Sequence, residues 1–178
     1  MAKAKKSTLG FVCLALVAIC AILAIVGVTQ DWTVVKLGGE TMEGSTLADY
    51  KEAADLADQL GSEDNVYKVI MALGYLSVAA ICVVAVAYII KQLISITLFR
   101  IIVILAGVVT MAIGVAAIAY TASQVSGLST ETTDGFLSGL LEGITGGETG
   151  VNLGIGCYLT SIGASAGGLF AAVGCFKR

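Results

Sequence analysis

The sequence predicts an all-α integral membrane protein. It should be a four-transmembrane-helix bundle with both termini cytoplasmic and a small extracytoplasmic strand-plus-helix element in the first outer loop. Three observations predict this. The 178-residue chain is 57% hydrophobic and only 13% charged, where a water-soluble domain has roughly 45–50% apolar and about 25% charged residues. Four apolar stretches reach the roughly 20 residues that a helix needs to cross a hydrocarbon core about 30 Å thick. The charged residues are sorted by sign between alternate connections. The same composition excludes a disordered chain, which would be poor in apolar residues and rich in charge.

The four spans are expected at about 8–28, 67–90, 98–119 and 151–176, with outer loops 29–66 and 120–150, all in one membrane domain covering 1–178. Each should be helical, because an unpaired backbone in hydrocarbon is too costly. Seven of the ten basic residues lie at the N-terminus (Lys3, Lys5, Lys6), between spans two and three (Lys91, Arg100), or at the C-terminus (Lys177, Arg178). All thirteen acids lie in the other two connections. By the positive-inside rule the termini and the Lys91–Arg100 hairpin are cytoplasmic, and a cell (plasma) membrane location is expected. The first span follows lysines, as a signal peptide would. Its apolar run of about 21 residues exceeds the 7–15 of a signal core, so it is expected to remain as an anchor.

The first outer loop divides into two halves. Trp32 to Leu37 is β-branched and partly alternating, Gly38-Gly39 offers a turn, and Glu40 to Gly44 can return as a partner strand. Thr46 can then cap a short helix, with Asp49 three residues on, and Gly61 can stop it. Leu47, Tyr50, Ala53, Ala54, Leu56, Ala57 and Leu60 share half of its circumference. Lys51, Glu52, Asp55, Asp58 and Gln59 take the other half, so it should lie against the sheet or the membrane face. Ser62 is placed to cap the second span. The second outer loop is rich in Gly, Ser and Thr. Within it Phe136, Leu137, Leu140, Leu141 and Ile144 repeat at helical spacing and suggest a segment docked on the outer ends of the bundle.

Little in the sequence carries chemistry. There is no His, hence no imidazole ligand or base. Cys13, Cys20, Cys82, Cys157 and Cys175 all fall within the spans, where apolar surroundings make a thiol inert. The middle of each span lacks Asp, Glu, Lys and Arg, the residues kept there for ion and proton pathways. No enzymatic activity, cofactor, metal or nucleic-acid partner is therefore expected.

A packing signal is present instead. In span four Gly156, Thr160, Ala164, Gly168 and Ala172 recur every four residues, with Gly163, Gly167 and Ala171 as a second ladder beside them. Ala106, Thr110 and Gly114 add to it in span three. Small residues at this spacing let helix backbones approach closely. The ladders fit either packing within the chain or an interface with another membrane protein or a second copy.

This layout resembles the claudin-like tetraspan membrane proteins. The shared features are four spans, both termini inside, and a longer first outer loop that opens with Trp32. Strands at Thr33–Leu37 and a helix over Leu47–Leu60 follow, as does a Gly-rich last span approached through Glu148-Thr149-Gly150. The family's Gly-Leu-Trp continuation and its pair of loop cysteines are absent. The resemblance implies an extracellular sheet anchored by Trp32 and used in adhesion or barrier contacts.

The expected function is association, as an accessory subunit of a membrane complex or an oligomeric scaffold. The alternatives are a claudin-like adhesion protein and a passive homo-oligomeric pore lined by Ser77, Thr110, Thr160 or Ser161.

Overall fold

A computed structural model of the protein describes residues 8–37, 40–59, 65–94, 97–128 and 149–176. In chain order the elements are α1 (Thr8–Val28), β1 (Thr33–Leu37), β2 (Glu40–Ser45), α2 (Leu47–Gln59), α3 (Val66–Leu93), α4 (Thr97–Leu128), β3 (Thr149–Leu153) and α5 (Ile155–Phe176). Four of the helices, α1, α3, α4 and α5, are long and apolar enough to cross a membrane.

These four helices are built inside out relative to a soluble bundle. Their outward faces carry large aliphatic side chains: Ile19, Ile22 and Val26 on α1, Val83 and Val86 on α3, Leu105 and Val109 on α4, Ile162 and Leu169 on α5. Inward positions are smaller and more polar, and include Ser77, Thr110, Thr121, Thr160, Cys157 and several alanines. Hydrocarbon favours this arrangement, since lipid tails are as apolar as leucine and helices associate by close packing instead.

The inward positions follow one rule. On α1 they are Gly10, Cys13, Val17, Cys20, Ala24 and Gly27, with Ala21 buried beside Cys20 and Ala24. On α3 they are Ile70, Gly74, Ser77, Ile81, Val84 and Tyr88. On α4 they are Val103, Gly107, Thr110, Gly114, Ala117 and Thr121. Each set alternates steps of three and four, the seven-residue seam of helices packed about 20° from parallel. The fourth helix, α5, is different. Over half of it is buried, 56% against 28% for each of the others, because it packs on α1 along one side and on α4 along another.

One end of the bundle carries a three-stranded antiparallel sheet of order β2-β1-β3. The chain supplies β1 and β2 between the first two long helices and β3 just before the last. The pairing of β1 with β2 slips by one residue between Val35 and Lys36, with Met42 the extra residue, a bulge that bends the edge strand. At the N-terminus of α2, Asp49 accepts hydrogen bonds from the Thr46 N–H (2.7 Å) and hydroxyl (2.9 Å), and the Thr46 hydroxyl accepts one from the Asp49 N–H at 3.4 Å. This reciprocal cap follows the capping-box pattern with Asp in place of Glu.

Two boundaries and one helix face differ from the sequence reading. Residues 151–153 belong to β3 and not to the fourth span, since Val151-Asn152-Leu153 lies between glycines and pairs with the free edge of β1. The helix at the third span runs on to Leu128 instead of ending near 119. Its 32 residues, about 48 Å at 1.5 Å each, exceed a 30 Å core, so its last turns stand beside the sheet. On α2 the buried stripe is Leu47, Tyr50 and Ala54, and Leu56 is exposed. Leu56 lies about 180° around the helix from Leu47, at the limit of the apolar half. The Gly38-Gly39 turn, Leu60, the Gly61 stop, the Ser62 cap and the Phe136–Ile144 repeat lie outside the described residues.

Candidate functional site

Two features could carry function: the small-residue ladders of α5 and the sheet-bearing end built around Trp32. All eight ladder residues are buried, and the structure assigns each a neighbour within the same chain. Toward α1, a methyl group placed on Gly156 would stand 2.6 Å from the carbonyl oxygens of both Gly27 and Gln30. One on Gly163 would stand 2.7 Å from the Cys20 carbonyl oxygen and 3.0 Å from the Ala24 nitrogen. Between them the Thr160 hydroxyl donates to the Ala24 carbonyl at 3.2 Å. Gly167 faces Cys20 and Ile81, so it admits α3 as well as α1.

Toward α4, Gly168 and Gly107 meet backbone to backbone. A methyl on Gly107 would lie 2.6 Å from the Gly168 carbonyl oxygen and 3.5 Å from the Ala172 methyl. One turn-pair further along, Gly114 takes the Ser161 carbonyl at 2.7 Å on the same measure. Ala164 and Ala171 are fully enclosed. The ladders thus serve as two seams within the chain.

The hydroxyls considered as a pore lining also point inward. Ser77 donates to the Leu73 carbonyl at 2.7 Å and Thr110 to the Ala106 carbonyl at 2.8 Å, each to its own helix one turn back. That is the usual way for Ser and Thr to be satisfied inside a helix bundle. Ser161 is buried beside Cys157, which Thr121 also neighbours.

Trp32 organises the other end. It is fully buried, and its indole N–H donates to the Gly27 carbonyl at the end of α1, 3.1 Å away. Its ring packs with Leu47, Tyr50, Ile70, Leu153 and Cys157, one residue or more from α2, α3, β3 and α5. Gly74 on α3 is the floor of this pocket: a Cβ there would come within 2.9 Å of the indole ring and 2.6 Å of Leu47. Ile118 and, from the extension of α4, Tyr120, Ala122 and Val125 complete one wall. The Thr33 hydroxyl and the Tyr50 phenol share a 2.7 Å hydrogen bond, and the Tyr50 and Tyr67 rings are 5.9 Å apart.

The backbone around Trp32 is equally engaged. Its N–H donates to the Ser45 carbonyl at 2.7 Å, and its own carbonyl accepts from the Gly154 N–H at 2.7 Å. The Gly156 N–H donates to the Asp31 carbonyl at 2.8 Å. Gly154 lies against the Asp31 and Trp32 backbone so closely that no side chain fits there. Residues 31–32 therefore fasten the sheet to the start of α5.

Two titratable groups outside the spanning segments respond to this geometry. The Thr46 N–H, and then the Thr46 hydroxyl, hold the Asp49 carboxyl below its ordinary value. Burial pushes the Tyr50 phenol up, partly offset by its bond to Thr33. A Lys68–Asp58 ion pair ties α2 to the start of α3. Among the described residues no group of three His, Cys, Asp or Glu is placed to hold a metal ion.

Sequence reasoning missed Gly27, Gly74, Gly107 and Gly154, each the partner in a close approach. The signal for the first three was present as the step of seven: Cys13, Cys20, Gly27; then Gly74, Ile81, Tyr88; then Gly107, Gly114, Thr121. Fold and site together define a four-helix membrane-spanning protein with a sheet fastened to one end. No family model, curated protein or solved structure matches the chain.

Proposed function

We propose that the protein acts without catalysis, through association, as an accessory subunit of a membrane complex or an oligomeric scaffold. In this reading it docks through its sheet-bearing end. The observation that supports the choice of end is the consumption of every Gly, Ala and Thr of the α5 ladders within the chain. Within the bundle these residues are used up, and its outward faces carry mainly large apolar side chains suited to lipid. The sheet and α2 present directional groups: the edge strand β2, and an α2 face on which Asp49, Glu52, Asp55 and Asp58 are all exposed. The positive-inside rule puts this end outside the cell membrane and both termini in the cytoplasm.

Native mass spectrometry of the protein extracted gently from its own membrane tests the proposal, with Glu52→Lys/Asp55→Lys as the comparison. A heteromer or homo-oligomer that falls apart in the double variant, with the monomer still folded, supports docking through the α2 face. An assembly that survives the charge reversal places the contact elsewhere. A wild-type monomer at 18.1 kDa sinks association altogether.

A second reading is claudin-like adhesion or barrier contact. It is favoured by one observation: β3, from the connection before the last span, joins β1 and β2 in a single sheet. Adhesion between vesicles carrying the protein, abolished by trimming the sheet-bearing end, would select it over subunit assembly.

A further inference from the structure

Contacts between the helices set their relative heights at both ends of the bundle. At the end remote from the sheet, the Tyr88 hydroxyl donates to the Gly10 carbonyl at 3.3 Å, joining α3 to α1. Lys91 donates to the Gly174 carbonyl at 3.3 Å, joining α3 to α5. Arg100 comes near enough to Cys175 to interact with it electrostatically, which brings α4 to the same height. At the sheet-bearing end, Gly27 on α1 faces Gly156 and Thr160 on α5, and Gly74 on α3 lies under Trp32. On α4, Gly107 faces Gly168 and Gly114 faces the Ser161 carbonyl. Seven residues along α4 thus match seven back along α5, and the same register sets Tyr120 level with the start of α5.

The separation of these two heights is similar on every helix. It is 17 residues on α1 from Gly10 to Gly27, 16 on α3 from Tyr75 to Lys91, 20 on α4 from Arg100 to Tyr120 and 18 on α5 from Gly156 to Gly174. At 1.5 Å per residue these are about 24–30 Å, and a bilayer's hydrocarbon core is about 30 Å thick. Between the heights the large exposed side chains are apolar, as at Ile22, Val83, Leu105 and Leu169. Past the upper height the surface changes. Ser123 is exposed on α4, and α3 carries Lys68, paired with Asp58. Tyr75, 44% exposed, and Tyr120, partly buried against the Trp32 cluster, stand at the change itself. Side chains lean toward the N-terminus of their helix. Because α3 and α4 run in opposite directions, the two rings lean toward a common height. Tyr158 lies near this height too, but its hydroxyl is buried in the protein and takes no part in the surface.

We propose that the lipid headgroup layer of the sheet-side leaflet meets the bundle at Tyr75 and Tyr120, with the hydrocarbon core running from there to the height of Lys91 and Arg100. Tyrosine suits that boundary, since its ring is apolar and its hydroxyl polar, and tyrosines gather at membrane–water interfaces for this reason. The nine residues of α3 before Tyr75 and the eight of α4 after Tyr120 then stand in or beyond the headgroups. Trp32, packed on Gly74, lies at the boundary. The cluster that fastens the sheet to the bundle is therefore seated among lipid headgroups, whether or not a protein partner is docked on α2 or β2.

Depth-dependent fluorescence quenching of the full-length protein in phosphatidylcholine vesicles tests this. Trp32 is the only tryptophan, so the Trp32→Phe background accepts a single reporter indole, placed by Tyr75→Trp or by Val83→Trp. Val83 is 63% exposed and lies eight residues, about 12 Å, further along α3, close to the middle of the core. The vesicles carry bromine, which quenches indole at short range, either near the headgroup end or near the methyl end of one acyl chain. The indole at 75 should be quenched more by the shallow bromines and the indole at 83 more by the deep ones, with emission at 83 shifted to shorter wavelength. Equal or stronger quenching at 75 by the deep bromines overturns the proposal, because it places Tyr75 inside the hydrocarbon. Absence of quenching at 75 by either lipid overturns it too, because it moves the boundary toward Lys91. A thermal melt checks that each variant is folded. If the background does not fold, wild-type Trp32 serves as the reporter. Its buried ring should be quenched weakly and more by the shallow bromines, and a preference for the deep ones overturns the proposal.

Discussion

The two halves of this molecule solve the same problem with opposite materials. Inside the bundle, contact is made by removing side chains, so that backbone meets backbone at Gly156, Gly163, Gly107 and Gly168. At the sheet-bearing end, contact is made by one large side chain, Trp32, around which four elements gather. Water explains the difference. In hydrocarbon there is no gain from burying more apolar area, and tight packing with interhelical hydrogen bonds is what holds helices together. Beyond the hydrocarbon, burying an indole regains its hydrophobic value, and its N–H needs the partner that Gly27 supplies. The seams should therefore fail by overfilling and the sheet-bearing end by emptying.

The sharpest break is Gly163→Leu combined with Gly167→Leu. The added side chain at 163 meets the Cys20 carbonyl and the Ala24 backbone, which cannot give way as a flexible side chain could. Overpacking usually costs about 1–3 kcal/mol per site; Gly163, set against backbone, belongs at the upper end, while at Gly167 the nearest atom is the tip of the Ile81 side chain. Loss of the folded monomer in detergent, followed by thermal unfolding and size exclusion, is the expected result. A folded monomer that has only lost a partner would return the ladders to the role of an interface.

Trp32→Ala comes next. Truncating a buried Trp typically costs about 3–5 kcal/mol, and here the loss should be confined to one end. Hydrogen exchange should accelerate in β1, β2, β3 and α2, while the middle of α1, α4 and α5 stays protected. Uniform acceleration along all the long helices would mean that the two halves are not separable. Trp32→Phe should retain most of the packing and lose the indole bond to Gly27, a net effect of about 1 kcal/mol.

A finer test distinguishes hydroxyls that join helices from those that serve their own. Thr160→Val removes the bond from α5 to the Ala24 carbonyl on α1, and such interhelical bonds average about 0.6 kcal/mol. Thr110→Val removes only a bond back to its own helix and should shift the melting temperature less. Equal shifts would show that packing volume, and not the hydrogen bond, sets the response.

The four spans were legible because length and hydropathy suffice for them, and both ends of α1 and α3 and the C-terminal end of α5 fell close to where the sequence places them. Strands β1 and β2, the α2 helix and its Thr46–Asp49 cap were legible from turn residues and capping chemistry. The start of α5 was not. Val151-Asn152-Leu153 is as apolar as the helix it precedes, and only its pairing with β1, more than a hundred residues earlier, makes it a strand. The ladders were visible as a pattern, but their destination was not. A row of small residues records that something approaches closely and says nothing of whether it belongs to the same chain. The identity of the neighbour became readable only from matching rows, such as Cys13, Cys20 and Gly27 on α1, that share the step of seven.

The smallest expected effect lies on α2, where the two materials meet at the surface. The Asp49 carboxylate accepts from the Thr46 N–H and hydroxyl, which lowers its pKa below the ordinary 3.8. A carboxyl whose folded pKa is lowered stabilises the fold fully above its unfolded pKa, and that contribution is lost as pH falls through the folded value. The cap should be intact at pH 5, begin to weaken below about pH 4, the unfolded range of aspartate, and open as the pH falls through the lower folded value. Amide exchange of Thr46 and Asp49, followed between pH 6 and 3, should show this opening while the bundle amides remain unchanged. Asp49→Asn keeps an acceptor but cannot titrate, so it should abolish the acid-induced step at these two amides. If the step persists in that variant, the acid sensitivity of α2 comes from another carboxylate, and the cap is not what sets where the helix begins.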